Sequence, residues 1–289
     1  MVLEETLGCV DSLCKLKGNK KIIIVDNHSI NESGKQLKEM YADTDNIDVI
    51  INQDNVGFAV GNNIGCDFAK SMYNPDYYVV MNNDVEIIQE DFIERIEYIW
   101  TREEFDVLSP DIFSTNVNLH QSPKSLKRMT LERARKLQKQ YKRKCESRII
   151  VPLRCYIKQI KVLKMLYSKK KNNDLGIDYT KVYYNVPLHG SCFIFSKHFV
   201  LSRENVFFAD TFFYFESEIL DYECWKYGFK AMYDPSIKVF HHQNVSTNVT
   251  YTNLLKRTRF MNEQNYKSIS AFLNTYDEKT NKINSYRLR

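Results

Sequence analysis

Two amides and a carboxylate, Asn82, Asn83 and Asp84, directly follow an apolar run of β-forming residues at positions 77–81. A single carboxylate on rigid backbone can bind a hard divalent cation, because Mg²⁺ commonly uses one or two protein carboxylates together with phosphate oxygens. The same residue types are also common in a simple turn after a strand, where their side chains bond the local backbone. Taken alone, this stretch favours the turn.

Two glutamates, Glu216 and Glu218, follow an aromatic run at positions 212–215. Carboxylates crowded by aromatic side chains lose hydration, which raises their pKa and suits them to act as a general base. Acidic residues are also common in the first turn of a helix, where they interact favourably with the helix dipole. From the residues alone, a general base and a plain helix start both remain open.

Histidines supply the third kind of chemistry. His241 and His242 follow the apolar pair at positions 239–240, and neutral imidazole is a reasonable ligand for Mn²⁺ and a weaker one for Mg²⁺. His189 precedes Gly190 in a loop before another apolar run. A partly buried structural histidine is the commoner case, so His189 is left outside the predicted catalytic set.

The polar residues near Asp84 must be positioned by buried strands. Residues 22–25, 49–51 and 77–84 contain continuous β-forming runs that end in polar residues, and helical spacing occupies the segments between them. Such runs are typical of strands buried on both faces, and their alternation with helices indicates an α/β protein. Ligands of open α/β sheets bind beyond the carboxyl ends of the strands. We therefore predict an α/β fold with a mixed, mostly parallel central sheet.

Three glycines, Gly57, Gly61 and Gly65, are spaced by four within the second of these helical segments. The pattern is neither the G-x-G-x-x-G of a nicotinamide-binding turn nor a P-loop, which requires Gly-Lys-Ser/Thr. Glycines four apart lie on one helix face and permit close approach to a neighbouring backbone or ligand. Asn62 and Asn63 add two amides near the predicted site.

The net charge of +5 conceals a strongly basic segment at residues 124–171, which holds 18 of the 41 Lys and Arg residues and two acids. Within it, apolar residues recur at helical spacing opposite lysines, at Tyr156, Ile160, Leu163 and Tyr167. This pattern is typical of a helix at a membrane interface, and equally of a solvated helix packed on its own domain. No nucleic-acid-binding module is present, so we expect no nucleic-acid partner.

Composition and cysteine usage point to the cytoplasm. No run approaches the length of a membrane span, and the first residues lack the basic-then-apolar layout of a signal peptide. The seven cysteines are scattered and form no C-x-x-C pair, so they are predicted to be reduced core residues. We expect a cytoplasmic protein that reaches the inner face of the cytoplasmic membrane, if at all, through residues 124–171.

Three stretches in a fixed order resemble the nucleotide-sugar half of glycosyltransferase family 2, especially its rhamnosyltransferase-like members. They comprise residues 22–27, residues 55–59 with 62–65, and residues 80–84. The resemblance implies the GT-A fold and a divalent cation, Mn²⁺ or Mg²⁺. It also implies a nucleotide-diphospho-sugar donor of the UDP or dTDP type.

The resemblance assigns roles to individual residues. Asp26 would contact the nucleotide base, and Asp84, as the last residue of a D-x-D-like motif, would ligate the metal on the sugar diphosphate. His241 matches a histidine of the family's closing strand that can complete the metal site. Further residues implied at the nucleotide-sugar site are Asn55, Gly57, Asn62, Asn82 and Gly190.

The segment around Glu216 and Glu218 resembles the aromatic-aromatic-x-x-Glu-Asp segment that supplies the family's catalytic base. In the preferred alignment the base falls on Glu218, with Glu216 as the second candidate. A shift by one residue would place Ser217 at the base position and leave Glu216 as the substitute.

A second departure concerns the first strand. Family members have a strand ahead of the helix that starts here near Glu4, and that strand helps to form the nucleotide pocket. This chain begins with the helix. The resemblance therefore implies an exposed sheet edge or a gap beside residues 22–25.

These observations predict one GT-A domain at residues 1–276, with a basic helical insertion at about 120–175, followed by a polar tail at 277–289. The predicted function is inverting transfer of a sugar to a glycan or lipid-linked acceptor in bacterial surface polysaccharide synthesis. The alternative is a non-catalytic family member that binds or scaffolds within a glycan-assembly complex. A nucleotidyltransferase is disfavoured, because no Gly-rich phosphate loop bearing Lys or Arg is present.

Overall fold

The computed structural model describes residues 1–147, 151, 176–242 and 254–277. The helices in these ranges are α1 (Leu3–Cys14), α2 (Ser33–Met40), α3 (Gly57–Met72), α4 (Phe92–Glu103), α5 (Leu131–Glu146), α6 (Lys197–Leu201), α7 (Glu216–Tyr227) and α8 (Leu254–Tyr276). The strands are β1 (Ile22–Asp26), β2 (Ile47–Ile51), β3 (Tyr77–Met81), β4 (Val85–Glu86), β5 (Val107–Ser114), β6 (Leu119–His120), β7 (Tyr183–Tyr184), β8 (Cys192–Ser196) and β9 (Ala231–His241).

The strands form two sheets. β1 and β2 pair in parallel as a two-stranded sheet, and the larger sheet has the order β3-β8-β5-β9-β4. β6 pairs with β5 and β7 pairs with β9 at the margins of the larger sheet. The predicted mixed α/β architecture is confirmed.

The expectation that most strands are parallel is wrong. β5 and β9 are the parallel pair of the larger sheet, while β3 with β8, β5 with β8 and β4 with β9 are antiparallel. β3 is also not buried on both faces, because Val79 is 37% exposed. The continuous apolar run favoured a buried parallel strand, but β8 inserts antiparallel between β3 and β5, so pairing with a distant segment sets the direction of β3.

The gap implied beside residues 22–25 is present in the described part of the chain, where β2 is the one strand paired with β1. Helix α1 crosses the junction between the two sheets. Val10 packs with Ile22 and Ile24, while Leu13 also contacts the core of the larger sheet. Apolar side chains of one amphipathic helix therefore join two sheets that share no backbone hydrogen bonds.

The described half of the basic segment forms α5, which packs along α8. The apolar side of α5 includes Ala134 and Leu137 and meets Ile269, Phe272 and other buried residues of α7 and α8. Residues 131–146 are thus a helix packed on their own domain. The predicted interfacial helix at Tyr156, Ile160, Leu163 and Tyr167 lies outside the described residues, as do residues 278–289.

Among the described residues no helix is both long and apolar enough to cross a membrane. The described cysteines are free thiols: Cys9, Cys66, Cys192 and Cys224 are buried, whereas Cys14 and Cys145 are exposed and therefore are not the core residues that the sequence predicted.

Candidate active site

Asp84 lies in a tight turn between β3 and β4. The amide N–H of Val85 donates to the carbonyl of Asn82 at 3.2 Å, and the N–H of Asn82 donates to Ser191 at 2.9 Å. The side chain of Asn83 donates to Thr6 of α1 at 2.9 Å. The predicted turn is therefore present, and it holds the Asp84 side chain in a site where the residue is only 6% exposed.

His241 faces the Asp84 carboxylate. Its Nε2 lies 3.2 Å from Asp84 Oδ1, and its Nδ1 lies 2.7 Å from Gln121 Oε1. Asp84 Oδ1 has no hydrogen-bond partner among the described residues, because the short approach of His241 lacks hydrogen-bond geometry. A buried carboxylate oxygen and an imidazole nitrogen thus converge without a bond between them, which fits a divalent cation.

The sheet determines this approach. β9 runs parallel to β5, with His241 beside Ser114, and antiparallel to β4, with His241 beside Val85. The N–H of His242 donates to the carbonyl of Asp84 at 2.9 Å. Because both candidate ligands stand on hydrogen-bonded backbone, their separation is fixed by the fold.

His189 and Gly190 lie beside the pair formed by Asp84 and His241. The rings of His189 and His241 are 5.9 Å apart between centroids. Burial lowers the pKa of His189 to about 3, and the charges of Lys124 and His241 act in the same direction. His189 is therefore neutral at physiological pH, and its Nδ1 lies 3.0 Å from the hydroxyl of Ser191.

The two glutamates start helix α7, and their environments differ. Burial raises the pKa of Glu216 to about 7, with a contribution from the charge of Glu218. Its Oε1 has no hydrogen-bond partner among the described residues. Burial alone would also raise the pKa of Glu218, but the charge and hydrogen bond of Lys124 outweigh it and lower that pKa.

Lys124 belongs to this site, although the sequence analysis did not identify it as a site residue. Its Nζ donates to Glu218 Oε1 and, at 2.9 Å, to the hydroxyl of Ser217, which in turn donates to Glu218 Oε2 at 3.1 Å. Both carboxylate oxygens of Glu218 are therefore engaged. The sequence signal was the basic segment that starts at Lys124, but nothing in the pattern indicated which acid it would meet.

A second ion pair continues along the same helix. Arg128 donates to both carboxylate oxygens of Asp221, at 2.8 and 3.0 Å, and its guanidinium lies 5.8 Å from the ring of Trp225. The segment from Lys124 to Arg128 is thus fastened to α7 at two successive turns.

The predicted nucleotide-binding residues gather at the carboxyl end of β1. Asp26 is 2% exposed; its Oδ2 accepts from the N–H of Ser29 at 3.1 Å, while its Oδ1 has no partner among the described residues. An unpartnered buried carboxylate oxygen is costly unless a ligand donates to it. Asp26 therefore fits a hydrogen-bond acceptor for a ligand.

The glycine face of α3 lies against this end of β1. A Cβ on Gly61 would stand 2.6 Å from the amide nitrogen of Asn27, and one on Gly57 would stand 2.4 Å from the carbonyl oxygen of Phe212. Gly57 also has a φ of +83°. The predicted close approach at these glycines is present, although it is to protein atoms.

The asparagine side chains mostly serve the backbone. Asn55 accepts from the N–H of Gly57 at 3.1 Å, Asn62 donates to Phe58 within α3 at 2.8 Å, and Asn63 exchanges two hydrogen bonds with Phe207. Asn63 is therefore a structural anchor between α3 and the loop ahead of α7.

The structure brings most of the predicted residues into one connected set. His241 lies 3.2 Å from Asp84 and 5.9 Å between ring centroids from His189, the charge of Lys124 acts on His189, and Lys124 donates to Glu218. Helix α3, which packs beside Asp26, connects that end of β1 to the set. The backbone N–H of Phe58 in α3 donates to the carbonyl of Phe212, which lies shortly before Glu216 in the sequence. Within the described residues there is no cluster of three or more His, Cys, Asp or Glu side chains that could hold a metal.

Known proteins share both the sequence pattern and the fold of this chain. The sequence profile of the family described as Glycosyl transferase family 2 matches residues 3–159, which is more than half of the chain. No curated protein matches the chain.

Among solved structures, S. aureus TarS 1-349 is similar with a TM-score of 0.50 and 13% identity, over 96% of this chain and 69% of that one. S. aureus TarS gives a TM-score of 0.51 and 13% identity, over 96% and 42%. GalNAc-T7 with UDP, GalNAc and Mn²⁺ gives a TM-score of 0.50 and 13% identity, over 81% and 40%. The chain thus spans about two fifths of the length of GalNAc-T7, and at this identity the likeness shows the GT-A fold.

Proposed function

The chain belongs to glycosyl transferase family 2, and we propose that it is an inverting glycosyltransferase that uses a nucleotide-diphospho-sugar donor. The observation that carries the proposal is the convergence of the unpartnered Asp84 Oδ1 and His241 Nε2 at 3.2 Å. This buried pair lies in the same connected set of residues as the partly buried Glu216 and Glu218. Sugar transfer from a diphosphate requires a group that binds a cation and a group that accepts a proton. The Asp84–His241 pair is suited to the first role, and a glutamate is suited to the second.

Asp84 and His241 would hold a divalent cation, Mn²⁺ or Mg²⁺. A bound cation there would neutralise the charge that develops on the diphosphate leaving group. Imidazole favours Mn²⁺ over Mg²⁺, and the presence of UDP and Mn²⁺ in the GalNAc-T7 structure makes these the first probes to use.

The donor nucleotide would lie between this pair and the carboxyl end of β1. Asp26 accepts a hydrogen bond from the base, and its unpartnered Oδ1 supports that role. Further residues proposed at the donor site are Asn55, Gly57, Asn62, Asn82 and Gly190. Gly190 is suited to this place because a Cβ there would meet no atom closer than 4.0 Å, which leaves open space beside the site.

Glu218 is the proposed general base, with Glu216 as the second candidate. The acceptor oxygen bonds to the anomeric carbon while the bond from that carbon to the diphosphate oxygen breaks, and the acceptor proton passes to the carboxylate. A single displacement of this kind inverts the anomeric configuration. Lys124 keeps Glu218 ionised, and each carboxylate oxygen, although it accepts one hydrogen bond, retains a lone pair that can receive the proton.

The acceptor is proposed to be a glycan or lipid-linked hydroxyl in bacterial surface polysaccharide synthesis, in the cytoplasm. This part of the proposal is supported by the resemblance to rhamnosyltransferase-like members. Residues 124–171 are proposed to contact the inner face of the cytoplasmic membrane, because their charge suits anionic lipid.

A non-catalytic binding subunit is the second candidate. It is favoured by one observation, which is that Lys124 and Ser217 occupy both oxygens of Glu218. Such a protein would bind the nucleotide-sugar without transferring or hydrolysing it, so measurement of sugar release from a bound donor separates the two functions.

The first experiment is calorimetric titration of UDP and of dTDP, with and without Mn²⁺. Wild type and the control Asp76→Ala, whose carboxylate is exposed and lies 3.7 Å from Lys197, are expected to bind at least one nucleotide only when Mn²⁺ is present. Asp84→Ala is expected to lose that binding. Equal binding with and without the metal, or binding that survives in Asp84→Ala, would contradict the proposed donor site.

A further inference from the structure

Gln121 lies next to the candidate metal pair without being part of it. It directly follows β6, whose residue His120 pairs with Phe113 of β5, and its own backbone N–H donates to the carbonyl of Ile112 at 2.8 Å. The base of the Gln121 side chain is therefore fixed to the same sheet that carries His241. No sequence pattern pointed to this residue.

The contact between the two side chains decides which nitrogen of His241 carries the proton. Gln121 Oε1 is 2.7 Å from His241 Nδ1, and an amide oxygen can only accept a hydrogen bond. Nδ1 must therefore carry the hydrogen. The neutral ring is then left with a lone pair on Nε2, the nitrogen that faces Asp84.

This tautomer agrees with the absence of a hydrogen bond between His241 and Asp84. A hydrogen on Nε2 would find no acceptor in Asp84 Oδ1, because the 3.2 Å approach lacks hydrogen-bond geometry. With the hydrogen on Nδ1, two electron-pair donors face each other in a buried place, which is unfavourable unless a cation lies between them.

We propose that Gln121 is a positioning residue for metal binding, which holds His241 in the tautomer that presents Nε2 to a divalent cation shared with Asp84. The inference rests on the proposed function, since it assigns a partner to the proposed metal ligand. Outer partners of metal-bound histidines orient the ring and fix its tautomer, and their loss typically weakens metal affinity about 10- to 100-fold.

Three variants isolate this role. Gln121→Met keeps the length of the side chain and removes the acceptor, whereas Gln121→Glu keeps an acceptor at the same distance. Gln89→Met is the matched control, because the Gln89 side chain also bonds β9, accepting from Lys238 and donating to Ser236 at 3.1 Å, but does not touch His241.

Two measurements are made on each protein. Electron paramagnetic resonance of free Mn²⁺ gives metal affinity, with the metal alone and with UDP added. Nitrogen-15 NMR of the metal-free protein reports which ring nitrogen of His241 is protonated. The second readout does not depend on the metal or on activity.

We expect His241 in wild type to be protonated on Nδ1, and Gln121→Met to bind Mn²⁺ about 10- to 100-fold more weakly, with the proton moved to Nε2. Gln121→Glu should restore both properties, and Gln89→Met should match wild type. The inference is overturned if wild-type His241 carries its proton on Nε2, if Gln121→Met binds Mn²⁺ as wild type does, or if Gln121→Glu fails to restore affinity.

The outcomes also separate this inference from the proposed function. The inference alone fails if wild type binds Mn²⁺, Asp84→Ala does not bind it, and Gln121→Met binds it with wild-type affinity. If wild type binds no Mn²⁺ with or without UDP, the proposed metal site fails and the inference fails with it.

Discussion

Glu216 and Glu218 stand two residues apart, yet their surroundings push their pKa values in opposite directions. Lys124 lowers the pKa of Glu218, and burial raises that of Glu216 to about 7. A general base is most effective when its pKa lies near the working pH, which favours Glu216 on pKa alone. Glu218 is favoured by its connection through Lys124 and His189 to the proposed metal ligands.

Kinetics as a function of pH distinguishes the two glutamates. If Glu218 is the base, Glu218→Gln should lower kcat about 10²- to 10⁴-fold, and the acidic limb of the wild-type kcat/KM profile should lie below the ordinary glutamate range. Lys124→Met should move that limb to higher pH, because burial then acts on Glu218 without an opposing charge.

Lys127→Met is the control for that experiment, since Lys127 is an exposed neighbour in the same basic segment. A wild-type limb near pH 7, retained in Glu218→Gln and lost in Glu216→Gln, would assign the role to Glu216 instead.

Glu216 also makes folding stability depend on pH. Its pKa is about 7 in the folded protein and 4.5 for an ordinary glutamate, so between these values the unfolded chain loses the proton while the folded chain keeps it. The free energy of unfolding contributed by this group is therefore unaffected below 4.5 and falls as the pH rises toward 7.

Glu216→Gln should remove this dependence. We expect the variant to match wild type near pH 4.5 and to be more stable at about pH 8, by on the order of 1–3 kcal/mol at about 1.4 kcal/mol per pKa unit. Urea unfolding at both pH values measures the difference, with the exposed Glu204→Gln as the control. A variant that is equally stable or less stable at the higher pH contradicts the prediction.

At the scale of elements, α3 depends on glycine to lie against the end of β1. The Asn27 side chain, which Gly61 faces, donates to the carbonyl of Gly57 and accepts from Asn52, each at 2.7 Å. The glycine face thus lets one asparagine tie β1, β2 and α3 together beside Asp26. The spacing of the glycines indicated the close approach, but only the structure identifies the side chains that occupy it.

Gly61→Ala should destabilise the protein by about 1–3 kcal/mol, because the added methyl group displaces Asn27 and breaks its two hydrogen bonds. Nucleotide affinity should weaken as well, since Asn27 adjoins Asp26. Urea unfolding and UDP titration test both effects.

Gly8→Ala is the matched control in helix α1, where a Cβ would meet no atom within 4 Å. Alanine is the better helix former, so this change should stabilise the protein by about 0.5–1 kcal/mol. If the two substitutions changed stability alike, the packing argument for Gly61 would be wrong.

At the scale of the whole molecule, the described residues 124–147 of the basic segment are joined to the core rather than extended from it. Its helix α5 packs against α8, and Arg135 donates to the buried Asp277 just past the end of α8. The exposed lysines of α5 consequently remain on the outer surface of the domain. This arrangement leaves their charge available to a negatively charged surface.

Membrane contact through this segment predicts binding to vesicles that contain anionic lipid, with little binding to neutral vesicles. Binding should weaken as salt is added, because each lysine near the surface contributes about 1 kcal/mol that falls off with screening. The variant Lys139→Gln/Lys142→Gln should bind more weakly, while Lys38→Gln/Lys70→Gln should not. Co-sedimentation with vesicles measures this, and equal binding by both double variants would contradict it.

The sequence alone determined the local features of this protein, because periodicity and turn chemistry act over a few residues. The start of α1 near Glu4, the glycine face of α3 and the turn at Asp84 were predictable in this way, and a helix start at Glu216 was one of the two interpretations left open. The resemblance to one family then placed the fold and the candidate residues Asp26, Asp84 and His241 on the chain.

The tertiary structure decided what depends on contacts between distant segments. The continuous apolar run favoured a parallel strand buried on both faces, but β3 pairs antiparallel with β8 and leaves Val79 37% exposed, because a distant segment decides the pairing. The partners of the functional groups are distant too: Lys124 is 94 residues from Glu218, and Gln121 is 120 residues from His241. Such pairs leave no periodic signal in the sequence, because the path of the chain, and not local spacing, brings the two side chains together.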